Sequence, residues 1–174
     1  MKGYEWAEKA VNSLYDKNII SGVGNGKFEP ERNIKREEFV KLLVEALGHD
    51  AKAGQITFAD IPEGHWSIPY ISKAVSLDFI KGYSEDCFGI GDEISREDMA
   101  VIIYRALNNS GYEFTGDGKV FADENEISEY AKEAISKLSQ SGIINGVDEN
   151  RFAPKNPATR AQAAVIIYRC IESF

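Results

Sequence analysis

Three arginines stand at the same distance from three glycines along this chain of 174 residues. Each glycine is followed six residues later by a phenylalanine and fourteen residues later by an arginine. The three sets are Gly22, Phe28 and Arg36; Gly82, Phe88 and Arg96; and Gly146, Phe152 and Arg160. Arginine presents a planar fork of N–H donors that pairs bidentately with a carboxylate, and free backbone N–H groups at a helix start also attract anions. The arginines are therefore candidate contacts for an anionic ligand; the alternative is that they pair with a local carboxylate such as Glu37 or Glu97, or lie on a solvated face.

An aromatic residue precedes each glycine by sixteen positions, and the sequence leaves two interpretations of these residues open. They are Trp6, Trp66 and Tyr130. Each ring could stack on a sugar, or it could be a structural plug at a helix start with its edge buried. Agreement of several anchors at fixed offsets indicates an internal repeat. We place three repeats at residues 1–54, 55–116 and 117–174, forming one domain.

Each repeat has the pattern of a helix, a loop and a second helix, which predicts an all-α fold. In repeat one, apolar residues at i, i+3, i+4 and i+7 predict a first helix over about 6–18. The predicted stripes are Ala7, Ala10, Val11 and Leu14; Ile71, Ala74, Val75 and Asp78; and Ala131, Ala134, Ile135 and Leu138. We expect the core to include Val11, Leu14, Ile71, Val75, Ala134 and Ile135.

The loop after each first helix begins at the aligned glycine, which we expect to end that helix in the left-handed conformation. A turn at Asn25-Gly26 and a buried phenylalanine beneath each loop are also expected. The second helices then start with capping-box spacings, Ser95 with Asp98 and Thr159 with Gln162. Repeat one has Lys35 at this position, so it lacks the capping hydroxyl and gains a cation.

A Phe-Ala-Asp motif precedes the first helix in repeats two and three, ending at Asp60 and Asp123. Either carboxylate would repel an anion, so we expect it to orient an arginine or accept a sugar hydroxyl. Short repeats must pack on their neighbours, which favours a closed pseudo-threefold bundle. We expect each groove to join one arginine to the next repeat's motif and aromatic, as Arg36 with Asp60 and Trp66. Because no such motif precedes Trp6, we expect Arg160 to matter least.

Composition excludes several classes of protein. Asp and Glu total 28 against 20 Lys and Arg, giving a net charge of −8, whereas nucleic-acid binding needs a basic face. No apolar stretch approaches the roughly 20 residues of a membrane span. Cys170 fits a buried helix position and Cys87 an exposed loop thiol; no metal or cofactor motif occurs. No catalytic motif is found either, and a modest site present three times suits multivalent binding better than catalysis.

Two long segments resemble the S-layer homology (SLH) motif. They are FADIPEGHWSIPYISKAVSLDFIKGY followed by ISREDMAVIIYRAL, and FADENEISEYAKEAISKLSQSGIINGVDENRFAPKNPATRAQAAVIIYR. The resemblance covers essentially the whole chain as three copies. It implies a three-pronged spindle around a central helical bundle, on the bacterial cell surface. It also implies non-covalent anchoring of a larger surface protein to secondary cell-wall polysaccharide, often through pyruvylated sugars.

The resemblance and the residue pattern together predict the ligand-binding set. Its members are Arg36, Arg96, Arg160, Trp6, Trp66, Asp60, Asp123, Lys35, Gly22, Gly82 and Gly146. We expect alanine at each of the three arginines to weaken glycan binding and leave the fold intact. The alternative function is a helical scaffold for protein–protein interaction, which would need an exposed apolar groove rather than polar clefts.

Overall fold

A computed structural model describes residues 1–24, 26–52 and 54–173, and in these residues the chain forms six α-helices. They are α1 (Glu5–Asp16), α2 (Arg36–Ala46), α3 (Ile68–Ser76), α4 (Arg96–Asn109), α5 (Glu129–Gln140) and α6 (Arg160–Glu172). A short 3-10 turn covers Glu124–Glu126. The described residues pair as β-structure only in isolated bridges, which confirms the all-α prediction. None of these helices is long and apolar enough to cross a membrane.

The apolar stripe of α1 and that of α5 are buried as predicted, but the stripe predicted for α3 is wrong by one turn. Val75 is 42% exposed, and Asp78 lies beyond the helix. Counting back from the aligned glycine, the first stripe position of repeat two is Ser67, which is fully buried like Ile71. The Ser67 hydroxyl lies 2.8 Å from Nδ1 of His65, which satisfies this buried polar group. An apolar pattern search passes over such a residue.

The first helices end six residues before the aligned glycines, and the left-handed residues lie four before them, so the predicted role of those glycines is wrong. The residues in the left-handed conformation are Asn18 with φ 58°, Asp78 with φ 55° and Gly142 with φ 68°. Asn and Asp adopt this conformation more readily than most residues with a side chain. None of the three aligned glycines has a φ in the left-handed region, so another constraint must require glycine there.

Helices pair across the repeats, and the pairing returns to its start. The second helix of each repeat packs on the first helix of the next, as α2 on α3 and α4 on α5, and α6 packs on α1. A ring of backbone hydrogen bonds follows the same order. Ile34 N–H donates to Ala158 O at 2.9 Å, Ala158 N–H to Ile94 O at 2.9 Å, and Ile94 N–H to Ile34 O at 3.2 Å. This ring of three fully buried residues supports the predicted closure.

Replacing Ile94 with alanine should destabilise the whole domain, because its side chain is fully buried. Large-to-small changes in cores cost about 2 to 5 kcal/mol. Val75→Ala is the matched control, and its effect on the free energy of unfolding should stay within about 0.5 kcal/mol. Urea unfolding followed by circular dichroism measures both. Equal losses in the two variants would contradict the register described above.

Candidate ligand-binding grooves

A narrow loop follows each aligned glycine, and close approach of the backbone explains the glycine. The residue after the glycine donates its N–H, at 2.7 to 2.8 Å, to the carbonyl five residues beyond the glycine. A Cβ at Gly22, Gly82 or Gly146 would lie 2.8, 2.4 and 2.4 Å from that same carbonyl oxygen. Any side chain would therefore force the loop open. The predicted Asn25-Gly26 turn includes Asn25, which lies outside the described residues.

The three repeated arginines are buried beneath the loop of the following repeat. Arg36, Arg96 and Arg160 are 4%, 3% and 7% exposed. Their guanidinium groups lie 4.7 to 5.2 Å from the centroids of the loop phenylalanine rings. Each guanidinium donates hydrogen bonds to backbone carbonyls of the following repeat. The acceptors are Lys81 O for Arg36, Phe152 O and Asn145 O for Arg96, and Phe28 O and Ser21 O for Arg160. Each arginine therefore links one repeat to the next.

This burial corrects the expectation that each arginine offers an open fork at a helix start. Their backbone N–H groups are also in use, since those of Arg36, Arg96 and Arg160 donate at 2.9 Å to carbonyls of a neighbouring repeat. Burial lowers the pKa of Arg96 to about 10, although the nearby Asp123 carboxylate opposes the shift. Alanine at these positions should cost stability as well as any binding. Direct contact between these three residues and a ligand stays a prediction.

The aspartate of each Phe-Ala-Asp motif holds the N–H groups of the same loop. The Asp60 carboxylate accepts from Phe88, Gly89 and Ile90 at 2.7 to 3.0 Å, and Asp123 accepts from the matching N–H groups of repeat three. The expectation that Asp60 orients an arginine is therefore corrected. Cys87, expected to be an exposed thiol, is half-buried, with Sγ 3.7 Å from Asp60. Cys170 is buried as expected, which raises its thiol pKa to about 12.

The motif phenylalanine covers the loop phenylalanine in repeats two and three. Ring centroids lie 5.8 Å apart for Phe58 and Phe88, and 5.4 Å apart for Phe121 and Phe152. Both loop rings are fully buried as predicted, whereas Phe28 of repeat one is only half-buried. A cavity of about 510 Å³ adjoins Phe28. Phe28 is thus the least buried of the three loop phenylalanines.

Two cavities of about 330 Å³ each lie at equivalent places, and each is lined by three repeats. We call them the Arg96 groove and the Arg36 groove. The Arg96 groove is lined by Arg96, Asn145, Gly146, Val147, Gln162, Val165, Ile166, Arg169 and Trp6. The Arg36 groove is lined by Arg36, Lys81, Gly82, Tyr83, Asp98, Val101, Ile102, Arg105 and Tyr130. An arginine, the next loop, its second helix and a third repeat's aromatic therefore meet in each.

This arrangement corrects the predicted partners within each groove. Arg36 shares its groove with Tyr130, and Trp66 is not among the described residues that line it. Lys35, the extra cation of repeat one, lines neither groove in the described part of the chain. Trp6, Trp66 and Tyr130 are 56%, 48% and 58% exposed, so none of these side chains is fully buried. Stacking on a sugar and a structural role with the ring edge buried both stay predictions for these rings.

Sequence reasoning missed two arginines that line the grooves. Arg105 and Arg169 lie nine residues after Arg96 and Arg160 on α4 and α6, where repeat one has Glu45. That offset was visible in the sequence, but it recurs in only two of the three repeats. Within residues 1–24, 26–52 and 54–173, no group of three His, Cys, Asp or Glu side chains could hold a metal ion.

Helical repeats that pack on one another and form grooves where they meet are typical of a modular repeat domain. Comparison with known proteins identifies the family. The family model for the S-layer homology domain matches residues 1–40, 57–100 and 120–164, one segment in each predicted repeat. The chain belongs to the S-layer homology domain family. This confirms the resemblance drawn from the sequence, while the repeat boundaries stay predictions.

Several relatives are much longer proteins. The chain is 33% identical over 169 residues to the exoglucanase XynX of Acetivibrio thermocellus, covering 96% of this chain and 16% of that protein. It is 30% identical over 171 residues to the surface-layer 125 kDa protein of Lysinibacillus sphaericus, covering 97% and 14%. It is 32% identical over 125 residues to the cellulosome-anchoring protein of A. thermocellus, covering 66% and 28%. The chain thus spans less than a third of each.

Asp60→Asn should lower stability at neutral pH and remove a pH dependence. Burial raises the pKa of Asp60, but three backbone N–H donors outweigh it and hold the pKa below 3.8. Its contribution is therefore complete above the unfolded-state pKa near 4 and is lost as the pH falls through the lower native pKa. We expect Asp60→Asn to lose about 2 kcal/mol at pH 7 and to converge with the parent in acid.

Asp50→Asn is the control for this prediction, because the Asp50 side chain is 76% exposed and pairs only at the surface with Lys52. Urea unfolding from pH 7 down to about pH 2.5 measures all three proteins. A constant difference between Asp60→Asn and the parent at every pH would contradict the assignment.

Proposed function

We propose that this chain anchors a larger surface protein non-covalently to the bacterial cell wall. In this proposal its inter-repeat grooves bind secondary cell-wall polysaccharide, with pyruvylated sugars as the ligand. The observation that carries the proposal is the coincidence, in two equivalent grooves, of an exposed aromatic ring and at least two cations. An aromatic face stacks on a sugar ring, and a guanidinium pairs with the carboxylate of a pyruvate ketal.

The relatives support the anchoring role and the cell-surface location. One is named a surface-layer protein, another a cellulosome-anchoring protein, and a third a middle cell wall protein. The match to this chain covers only 16% of the exoglucanase and 9% of an amylopullulanase of Thermoanaerobacterium thermosulfurigenes. A non-catalytic attachment module would explain why both enzymes and surface-layer proteins contain a segment similar to this chain.

Groove size and number fit weak, repeated binding. A volume near 330 Å³ lies at the lower end of the range for small-molecule sites, enough for a short stretch of glycan rather than a long chain. Several such sites on one polymer raise the overall affinity by avidity. A protein-interaction scaffold would instead need an open apolar groove. The cavity beside Phe28 lies next to the loop phenylalanine of repeat one. In repeats two and three, the equivalent rings of Phe88 and Phe152 are covered by Phe58 and Phe121.

Trp6→Ala should weaken binding to purified cell-wall sacculi, because its ring is exposed at the Arg96 groove. Aromatic stacking contributes about 0.5 to 1.5 kcal/mol, so a roughly three- to tenfold loss is expected. Co-sedimentation with sacculi measures it. Tyr15→Ala, on the same helix and 63% exposed, is the matched control and should bind like the parent. Equal losses in both variants would argue against a sugar at Trp6.

Removing the pyruvate ketal from sacculi by mild acid should reduce binding by at least about tenfold. The ketal carries the only carboxylate that this proposal assigns to the ligand, and charged hydrogen bonds contribute about 1.5 to 3 kcal/mol. Mock-treated sacculi are the control, and the readout is the same sedimentation isotherm. Unchanged binding after removal of the ketal would exclude pyruvate as the recognised group but would leave glycan anchoring standing.

A further inference from the structure

The linings of the two grooves have the same net charge, but only the Arg36 groove has an acid in its lining. Arg96 and Arg169 give +2, and Arg36, Lys81 and Arg105 with Asp98 also give +2. Building on the proposed function, we infer that the Arg96 groove is the principal site for the anionic group of the ligand. Arg169, rather than the repeated Arg96, supplies the charged contact. The inference rests on three comparisons between equivalent positions: the acids at each groove, the partners of each aromatic, and the donors that each arginine has left.

Acidic residues stand at the first turn of two second helices and are missing from the third. After the repeated arginine come Glu37-Glu38 in repeat one, Glu97-Asp98 in repeat two and Ala161-Gln162 in repeat three. Gln162 lines the Arg96 groove where Asp98 lines the Arg36 groove. Every described residue that lines the Arg96 groove is neutral or cationic, with Arg96 and Arg169 as the cations. An anion entering this groove meets no like charge in its lining.

The Arg36 groove is less suited to an anion, because two carboxylates hold its aromatic. The Tyr130 hydroxyl lies 3.0 Å from Glu97 Oε1 and 2.9 Å from Asp98 Oδ1. Glu97 is buried, and its charge is paired with Lys155 at 2.6 Å. Asp98 is therefore the acid that lines this groove, together with the cations Arg36, Lys81 and Arg105. Cations remain in excess there, but part of their field is cancelled close to the ligand.

The third junction, around Arg160, has acids at the two positions where the Arg96 groove has Gln162 and Arg169. Glu38 takes the place of Gln162, and Glu45 takes the place of Arg169. Glu38 pairs with Arg32 at 2.7 Å, and Glu45 pairs with Lys41 at 2.7 Å. The nearby cations are therefore already neutralised, so this junction should bind an anion least. The low rank predicted for Arg160 thus has an electrostatic reason as well.

Within the Arg96 groove, Arg169 is the more exposed of the two arginines, so its remaining N–H donors are the more accessible. Arg96 is 3% exposed and uses Nε and Nη2 on two loop carbonyls. Arg169 is half-buried and donates from Nη1 to Ile143 O at 3.3 Å. With the Asn145 amide turned to satisfy both groups, its Oδ1 accepts from Arg169 at 3.1 Å. At least two of the five N–H donors of Arg169 have no partner among the described residues and remain for a carboxylate.

The test compares equivalent arginines by isothermal titration calorimetry with soluble polysaccharide fragments released from pyruvylated sacculi. Calorimetry is chosen because the heat of binding reports on every groove, and Trp6 fluorescence then locates the ligand. A Trp66→Phe background leaves Trp6 as the single tryptophan, so its fluorescence reports on the Arg96 groove. We expect saturable quenching in that background. Adding Arg169→Gln should weaken binding by at least about tenfold, and adding Arg105→Gln by less than about threefold. Arg169→Lys, which keeps a charge without the fork, should recover part of the loss.

The outcomes separate this inference from the proposed function. Losses as large for Arg105→Gln as for Arg169→Gln, or none for Arg169→Gln, would overturn the inference while glycan binding stands. No binding of the parent to sacculi or fragments would overturn both. Thermal melts show whether Arg169→Gln folds. If it does not, the Trp6 signal decides, because fragment binding without any change in Trp6 emission would place the ligand in another groove.

Discussion

The contact between a buried guanidinium and the carbonyls of the next repeat is the interaction on which this structure depends. An arginine with 3% exposure must have its N–H donors satisfied, and the loop carbonyls above Arg96 do so at 2.7 and 3.1 Å. The loop that carries these carbonyls is narrow. It can be narrow because its first residue is a glycine, and a Cβ at Gly146 would lie 2.4 Å from Arg151 O. The aspartate of the Phe-Ala-Asp motif completes the loop by accepting its N–H groups. One constraint thus explains the glycine, the phenylalanine, the arginine and the aspartate together.

Because each of these contacts runs from one repeat to the next, the grooves exist only where the repeats pack together. A groove takes its buried arginine, its loop and helix, and its aromatic from three different repeats. An isolated repeat could not form one, and loss of the ring at Ile34, Ile94 and Ala158 would separate the groove walls. Formation of the grooves is therefore coupled to folding, and a substitution at a repeated arginine affects both.

The repeats, the six helices and the all-α class could be predicted from sequence because periodicity and fixed offsets are local signals. The predictions that failed depended on contacts between distant residues. Ser67 lies in the core beside His65, so an apolar pattern placed Val75 there instead. Arg36 was expected at the surface, because a helix-start arginine looks the same in sequence whether its partner is a ligand or a carbonyl 45 residues away. Which aromatic meets which arginine was likewise set by ring closure, which no offset within a repeat encodes.

The same division explains how three copies of one motif can acquire unequal sites. Positions that hold the repeats together are restricted by burial and by the carbonyls and N–H groups that they must satisfy, and the glycine, the loop phenylalanine and the arginine recur in all three copies. The residues two and nine positions after the arginine line the grooves as Asp98 and Arg105 and as Gln162 and Arg169, and repeat one has Glu38 and Glu45 at these positions. Charge at a groove can therefore change without loss of the fold. Recognition in such a domain is read more directly from the residues that differ between the repeats than from those that define the motif.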